Sequence, residues 1–216
     1  MGRISRAEAL FLFIASIVAW SGIFLQVWLS TVTFGSVLPA IWRLVSYFTI
    51  LTNIITAVFF TMRFVKRNQS PPNWTQSDSV ATCVCANIVF VGLGFILLLA
   101  RLYSFEGLAW LTNALFHYVT PALGLIFWLA FVRSGALKWK EPLAWSIYLI
   151  VYGLYAIARG TASGFYPYPF LEVPVIGYGQ VAINMFGLLA AFCILAILFV
   201  FVGRRWPIGS TEPSAP

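Results

Sequence analysis

Six long apolar segments dominate this 216-residue sequence. An α-helix needs about 20 apolar residues to cross the hydrocarbon core of a bilayer. In lipid, every backbone N–H and C=O of a spanning segment must be hydrogen-bonded within the protein, so such segments fold as helices. The sequence therefore predicts an all-α fold, a polytopic membrane helical bundle with six transmembrane helices. The predicted spans are residues 7–29, 40–62, 79–100, 110–132, 142–158 and 179–202.

The composition excludes several other classes of protein. The chain is 61% hydrophobic and 9% charged, whereas a soluble domain carries about 25% charged residues. A soluble core of this size cannot bury so much apolar surface, which excludes an ordinary cytosolic enzyme and a disordered chain. The net charge of +7 would suit a nucleic-acid partner, but lysine and arginine also accumulate in the cytoplasmic loops of membrane proteins. We therefore expect no nucleic-acid partner.

The basic residues predict the orientation of the spans. Ten of the thirteen lysines and arginines fall on one side of the predicted bundle, next to both chain ends. The positive-inside rule then places both termini in the cytoplasm. We expect residues 1–203 to form one transmembrane domain and residues 204–216, with three prolines, to form a disordered cytoplasmic tail. The ten residues are Arg3, Arg6, Arg63, Lys66, Arg67, Arg133, Lys138, Lys140, Arg204 and Arg205.

The second span carries a stripe of polar side chains. On one continuous helix, Arg43, Ser46, Thr49, Asn53 and Thr56 fall within about 140° of one another. One interpretation is that these groups bond to neighbouring helices. The other is that they face a polar cavity inside the bundle.

The fourth span carries a second polar face. Asn113, His117, Thr120 and Gly124 fall within about 60° of each other, and His117 is the only histidine of the chain. Such a histidine can be a structural hydrogen-bonding group. A zinc site needs three or four protein ligands, so we expect neither a metal nor a cofactor here. The functional interpretation is a general base or a pH-sensitive group.

Depth in the membrane brings the two polar faces together. If the second helix begins near Ala40, Thr49 lies nine residues from its start, or about 13 Å deep. If the fourth begins near Trp110, His117 lies seven residues from its start, or about 10 Å deep. The two side chains are therefore expected at one level. An imidazole at that position can remove the hydroxyl proton of a threonine and make it a nucleophile.

Other polar residues complete the candidate pocket. The amides of Asn53 and Asn113 are candidate donors to an oxyanion. Thr52 is a competing nucleophile, although it points about 60° away from Thr49. The further candidate pocket residues are Ser46, Thr120, Asn184, Arg43 and Glu172.

The loop before the sixth span, residues 160–174, is rich in proline and aromatic residues and cannot form a regular helix. One interpretation is a loop anchored at the membrane interface. The other is a lid over the pocket, closed by an ion pair between Glu172 and either Arg43 or Arg159.

Three stretches together resemble a known family. They are the segment from Tyr47-Phe48-Thr49 to Phe60, the spacing Asn113-x-x-x-His117 followed by Thr120-Pro121, and the run Tyr-Pro-Phe-Leu-Glu at residues 168–172. In this combination the chain resembles the androgen-induced and androgen-dependent transmembrane hydrolases, and a group of bacterial six-span membrane proteins. The resemblance covers most of the chain, from the second span to the sixth.

The resemblance implies an intramembrane threonine hydrolase, with Thr49 as nucleophile and His117 as its partner. The substrates of that family are fatty acid esters of hydroxy fatty acids, so it implies a membrane lipid ester as substrate, without a cofactor or an obligatory protein partner. The bacterial relatives imply a bacterial plasma membrane.

Two other classes of function remain open. A membrane protein that binds a lipid or a small molecule without catalysis can use the same pocket. A small transporter is the third hypothesis. Against it, the sequence has no evident internal repeat, and we expect no acidic residue buried in the bundle.

The topology can be tested with reporter fusions. A fusion after Gln69, between the second and third spans, should report the cytoplasmic side, and one after Gly164 the opposite side. The same side for both fusions would contradict the six-span topology.

Overall fold

The computed structural model describes residues 5–69 and 73–208. These residues form a helical bundle, in which six helices are long and apolar enough to cross a membrane. The predicted fold class is confirmed, and the apolar helices are those of an integral membrane protein. The helices are α1 (Arg6–Phe34), α2 (Val37–Leu44), α3 (Phe48–Val65), α4 (Asp78–Gly94), α5 (Gly107–Ala114), α6 (Thr120–Phe127), α7 (Glu141–Ser163) and α8 (Val173–Arg205).

Three π-helical stretches extend these elements. Phe95–Leu99 continues α4, Leu115–Val119 joins α5 to α6, and Trp128–Val132 continues α6. The third span is thus Asp78–Leu99 and the fourth is Gly107–Val132. A π-helical turn widens the helix by one residue and is often found at functional sites.

Both ends of the described chain lie at the same end of the bundle, which we call the terminal end. Helix α8 continues to Arg205, so the predicted tail begins inside a helix. The rest of that tail, residues 209–216, lies outside the described residues, and so does Arg3 near the other end of the chain.

The second span begins at Phe48, and its predicted start near Ala40 is wrong. The short helix α2 comes first, and the chain then unwinds over residues 45–47, where Tyr47 has an extended backbone. Arg43 and Ser46 therefore do not share a helix with Thr49, and the continuous stripe predicted from Arg43 to Thr56 does not form. Thr49 lies in the first turn of α3.

Side chains of α7 stabilise this break. The hydroxyl of Tyr152 donates to the carbonyl of Ser46 at 2.8 Å, and that of Tyr155 donates to the carbonyl of Val45 at 3.2 Å. Arg159 donates to the Ser46 hydroxyl at 2.6 Å and also to the carbonyl of Trp42. Unpaired backbone groups inside a membrane bundle are costly, and α7 supplies the partners that the helix break requires.

The terminal end of the bundle contains a buried ion pair, contrary to our expectation of no buried acidic residue. Glu8 of α1 accepts from Arg63 of α3 at 2.9 Å through both Nε and Nη2. The two side chains are 9% and 7% exposed, and Arg63 also donates to the carbonyl of Thr75 at 2.7 Å. The sequence did not predict this pair, because Glu8 lies at the start of its span, where a side chain is expected to be exposed to water.

This pair predicts a non-additive effect on stability. The substitution Glu8→Leu should lower the free energy of unfolding in mixed detergent micelles by about 3–5 kcal/mol, because it leaves the Arg63 charge buried without a partner. The double substitution Glu8→Leu with Arg63→Met should be less destabilised than Glu8→Leu alone. Additive losses would contradict this account of the pair.

Candidate functional site

A cavity of about 580 Å³ opens at the end of the bundle opposite the terminal end. The last turns of α1, the start of α3, the α5 segment and the loop before α8 enclose it, and we call it the main cavity. Most of its wall is apolar. Its polar wall includes Arg43, Thr49, Asn113, His117 and Tyr168.

The structure brings the two principal candidates into contact. The hydroxyl oxygen Oγ1 of Thr49 lies 3.3 Å from Nε2 of His117. The other ring nitrogen, Nδ1, lies 3.1 Å from the backbone carbonyl of Asn113. Because a carbonyl oxygen only accepts, Nδ1 must carry the proton of that hydrogen bond. The neutral ring therefore presents the lone pair of Nε2 to the Thr49 hydroxyl, which is the arrangement that a general base requires.

The position of His117 depends on a close approach of α4. The His117 ring stacks on Phe95, with 3.9 Å between ring centroids, and both residues lie on π-helical stretches. A Cβ atom at Gly92 would come within 2.9 Å of the His117 carbonyl oxygen and of Pro121. Only a glycine at residue 92 lets the two segments come this close.

Tyr168 is a further member of the site that the sequence analysis did not assign. Its hydroxyl oxygen lies 3.4 Å from the backbone nitrogen of Thr49 and 3.5 Å from Oγ1 of the same residue. Burial raises the pKa of Tyr168, so the phenol stays neutral and keeps its proton. The signal was present in the sequence, because Tyr168 opens the Tyr-Pro-Phe-Leu-Glu run, but nothing in that run indicates where its hydroxyl points.

The start of α3 adds backbone donors beside Thr49. Its N-cap residue, Tyr47, makes no side-chain capping bond. The first N–H groups of a helix carry partial positive charge and point away from the helix. The Thr49 N–H donates to the Tyr168 hydroxyl, which leaves the phenol proton to stabilise negative charge that develops on an oxygen next to Thr49.

Two further candidates line the main cavity. Asn113 is 9% exposed, and its Oδ1 is buried without a hydrogen-bond partner in the described part of the chain. Arg43 lies with its guanidinium 3.5 Å from the centroid of the Phe165 ring, a cation–π contact.

The remaining candidates lie outside the main cavity. Asn53 sits behind Thr49 and donates to its carbonyl at 2.9 Å, so its amide does not face the cavity as an oxyanion donor. Ser46 is held by Arg159, and the hydroxyl of Thr120 is buried among the described residues without a partner. Asn184 donates to the carbonyl of Phe170 at 3.0 Å and so holds the loop before α8.

The rival nucleophile Thr52 is nearly completely buried. Its hydroxyl lies 3.0 Å from that of Tyr148 on α7. Thr52 does not line the main cavity, and its hydroxyl pairs with Tyr148 rather than with His117.

The predicted ion pair of Glu172 is wrong. Within residues 5–69 and 73–208, the only ion pair is that of Glu8 with Arg63. Arg159 is engaged by Ser46 and Trp42, and Arg43 by an aromatic ring. Glu172 instead precedes the first turn of α8, which a kink at Gly177 separates from the rest of the helix. The loop contacts the site through Tyr168 rather than through Glu172.

Comparison of the chain with protein-family models, with curated proteins and with solved structures finds no match.

The packing of Gly92 predicts a spectroscopic effect. His117 is the only histidine, so the chain with isotope-labelled histidine gives one set of ring resonances. The substitution Gly92→Ala should push the His117 segment away from Phe95 and shift these resonances downfield, because the ring current of the stack weakens. Gly94→Ala is the matched control, since a Cβ atom there meets no atom within 4 Å. An unchanged spectrum in Gly92→Ala would contradict the close approach.

Proposed function

We propose that this protein is an integral-membrane lipid ester hydrolase, with Thr49 as nucleophile and His117 as general base and acid. The observation that carries the proposal is the 3.3 Å contact between Thr49 Oγ1 and His117 Nε2 at the wall of the main cavity. A structural histidine does not need its free nitrogen next to a hydroxyl in a cavity. The resemblance to the transmembrane threonine hydrolases supports the same pair of residues.

The reaction follows from these positions. Thr49 Oγ1 forms a bond to the ester carbonyl carbon while its proton moves to Nε2 of His117. The ester C–O bond then breaks, and His117 returns the proton to the departing alcohol oxygen. In the second half, His117 takes a proton from water, the resulting hydroxide attacks the acyl group on Thr49, and the carboxylic acid leaves as Oγ1 regains its proton. No metal or cofactor takes part in this scheme.

The Tyr168 hydroxyl, which accepts from the Thr49 N–H at the start of α3, has the role of the oxyanion donor in this proposal. The negative charge of the tetrahedral intermediate would develop beside Thr49, where the Tyr168 hydroxyl lies 3.5 Å from Oγ1. A preorganised donor of this kind contributes about 2.7–4 kcal/mol to transition-state stabilisation. The neutral phenol, which burial keeps protonated, suits this role.

The proposed substrate is a lipid ester, for which a fatty acid ester of a hydroxy fatty acid is the model that the family resemblance supplies. The main cavity lies within an apolar bundle, and its wall is largely apolar. We further propose that the protein lies in a bacterial plasma membrane with both termini in the cytoplasm, which the distribution of lysine and arginine supports.

Substitution of the pair tests the proposal. Thr49→Ala and His117→Ala should each lower kcat for ester hydrolysis by about 10³-fold or more. Because the two residues act as one unit, the double variant should be no slower than either single variant. The control is Thr52→Val, which has the same shape as the wild type and should keep most of the activity.

Thermal unfolding in detergent should show that all these variants fold. Full activity in Thr49→Ala, or loss of activity confined to the Thr52 variant, would contradict the assignment. If purified protein binds lipid esters but hydrolyses none of a broad panel, the pocket serves binding alone.

A further inference from the structure

A second, smaller cavity reaches Thr49 from the opposite side of the main cavity wall. Its free volume is about 60 Å³, and we call it the cleft. It lies between the start of α3, the end of α4, α7 and the middle of α8. The residues that line it are apolar apart from Thr49, Tyr152 and Tyr168. Residues that define it are Phe48, Gly94, Leu98, Leu149, Met185 and Leu188.

The cleft opens sideways, toward the bilayer. Leu98, on the π-helical end of α4, is 50% exposed, and Gly94 and Leu188 are half-buried. All three lie within helices that are long and apolar enough to span the membrane. The exposed surface of such helices faces lipid hydrocarbon, so the cleft connects Thr49 with the acyl region of the bilayer.

The two cavities meet at Thr49 but differ in their contact with His117. Thr49, Phe95, Leu99 and Tyr168 line both cavities. His117 lines only the main cavity. A molecule attacked by Thr49 therefore has two directions in which to extend, and only one of them runs past the imidazole.

From this asymmetry we infer that the cleft is the acyl-chain subsite and that the main cavity holds the alcohol part of the ester. The inference rests on the proposed hydrolase function. The leaving alcohol oxygen must receive its proton from His117, so the alcohol part must extend into the cavity that His117 lines. The acyl chain is on the other side of the carbonyl carbon and extends into the cleft.

The walls of the two cavities agree with this division. The cleft is narrow and apolar and suits an unsubstituted hydrocarbon chain. Its volume of about 60 Å³ is about twice the volume of one water molecule in the liquid. It therefore encloses only the first carbons of a chain, and the rest passes between Gly94 and Leu98 into the bilayer. The main cavity is larger and carries Arg43 and Asn113, so it accepts a bulkier and more polar alcohol part.

The test fills each cavity separately. Gly94→Leu puts a side chain into the cleft, where a Cβ atom meets nothing within 4 Å. Ala109→Leu narrows the main cavity, which residue 109 lines without lining the cleft. Gly187→Leu is the matched control for Gly94→Leu, because residue 187 is an exposed glycine of α8 that lines neither cavity.

Two series of esters in detergent micelles provide the measurement. The first keeps the para-nitrophenyl alcohol and varies the acyl group from acetyl to butyryl, octanoyl and palmitoyl. The second keeps the octanoyl group and varies the alcohol from methanol to long hydroxy fatty acids. Gly94→Leu should lower kcat/KM for octanoyl and palmitoyl esters roughly tenfold relative to acetyl, the effect of losing about two buried methylene groups. Ala109→Leu should change only how kcat/KM depends on the alcohol. Gly187→Leu should change neither the dependence on the alcohol nor that on the acyl group.

The inference would be overturned if Gly94→Leu lowered kcat/KM equally for acetyl and octanoyl esters, or if its effect varied with the alcohol and not with the acyl group. Either result would leave the hydrolase proposal intact. Absence of hydrolysis of every ester by the wild-type chain would instead overturn the hydrolase proposal. If Gly94→Leu does not fold, Leu188→Trp narrows the same cleft from the lipid-facing side of α8, and the same acyl-chain selectivity is expected of it.

Discussion

The break between α2 and α3 depends on hydrogen bonds from α7, and the geometry of the candidate site depends on that break. Inside a bilayer an unwound turn must find protein partners for its carbonyls, and Tyr152, Tyr155 and Arg159 supply them. The break makes Thr49 a first-turn residue of α3, and its N–H donates to the Tyr168 hydroxyl. In a continuous helix that N–H group would be bonded to a carbonyl one turn earlier.

The other half of the site depends on close helix packing. Gly92 lets α4 approach the segment that carries His117, and Phe95 then covers one face of the imidazole. The Asn113 carbonyl holds Nδ1, so the ring has one free nitrogen and a fixed direction. Helix α3 positions the hydroxyl and the π-helical turn positions the base, and Asn53 of α3 links the two by donating to the carbonyls of Thr49 and Phe116.

The sequence predicted the number and most of the extent of the spans, because membrane crossing requires long apolar runs. It also singled out Thr49 and His117, whose side chains the structure brings together, although the helix that carries Thr49 begins at Phe48 and not near Ala40. The helix break could not be predicted, since its partners Tyr152 and Arg159 are distant in sequence. The ion pair could not be predicted for the same reason. Arg43 contacts an aromatic ring, and Arg159 contacts an aromatic ring and a carbonyl. The buried ion pair joins Glu8 and Arg63 instead.

Covalent labelling of the nucleophile tests whether His117 activates Thr49. A fluorophosphonate ester reacts with a hydroxyl only where a base activates it, and peptide mass spectrometry identifies the labelled residue. We expect a phosphonyl adduct on Thr49 in the wild-type protein and no adduct at that residue in His117→Ala. An adduct on another residue, or ester hydrolysis that persists with Thr49 unlabelled, would contradict it.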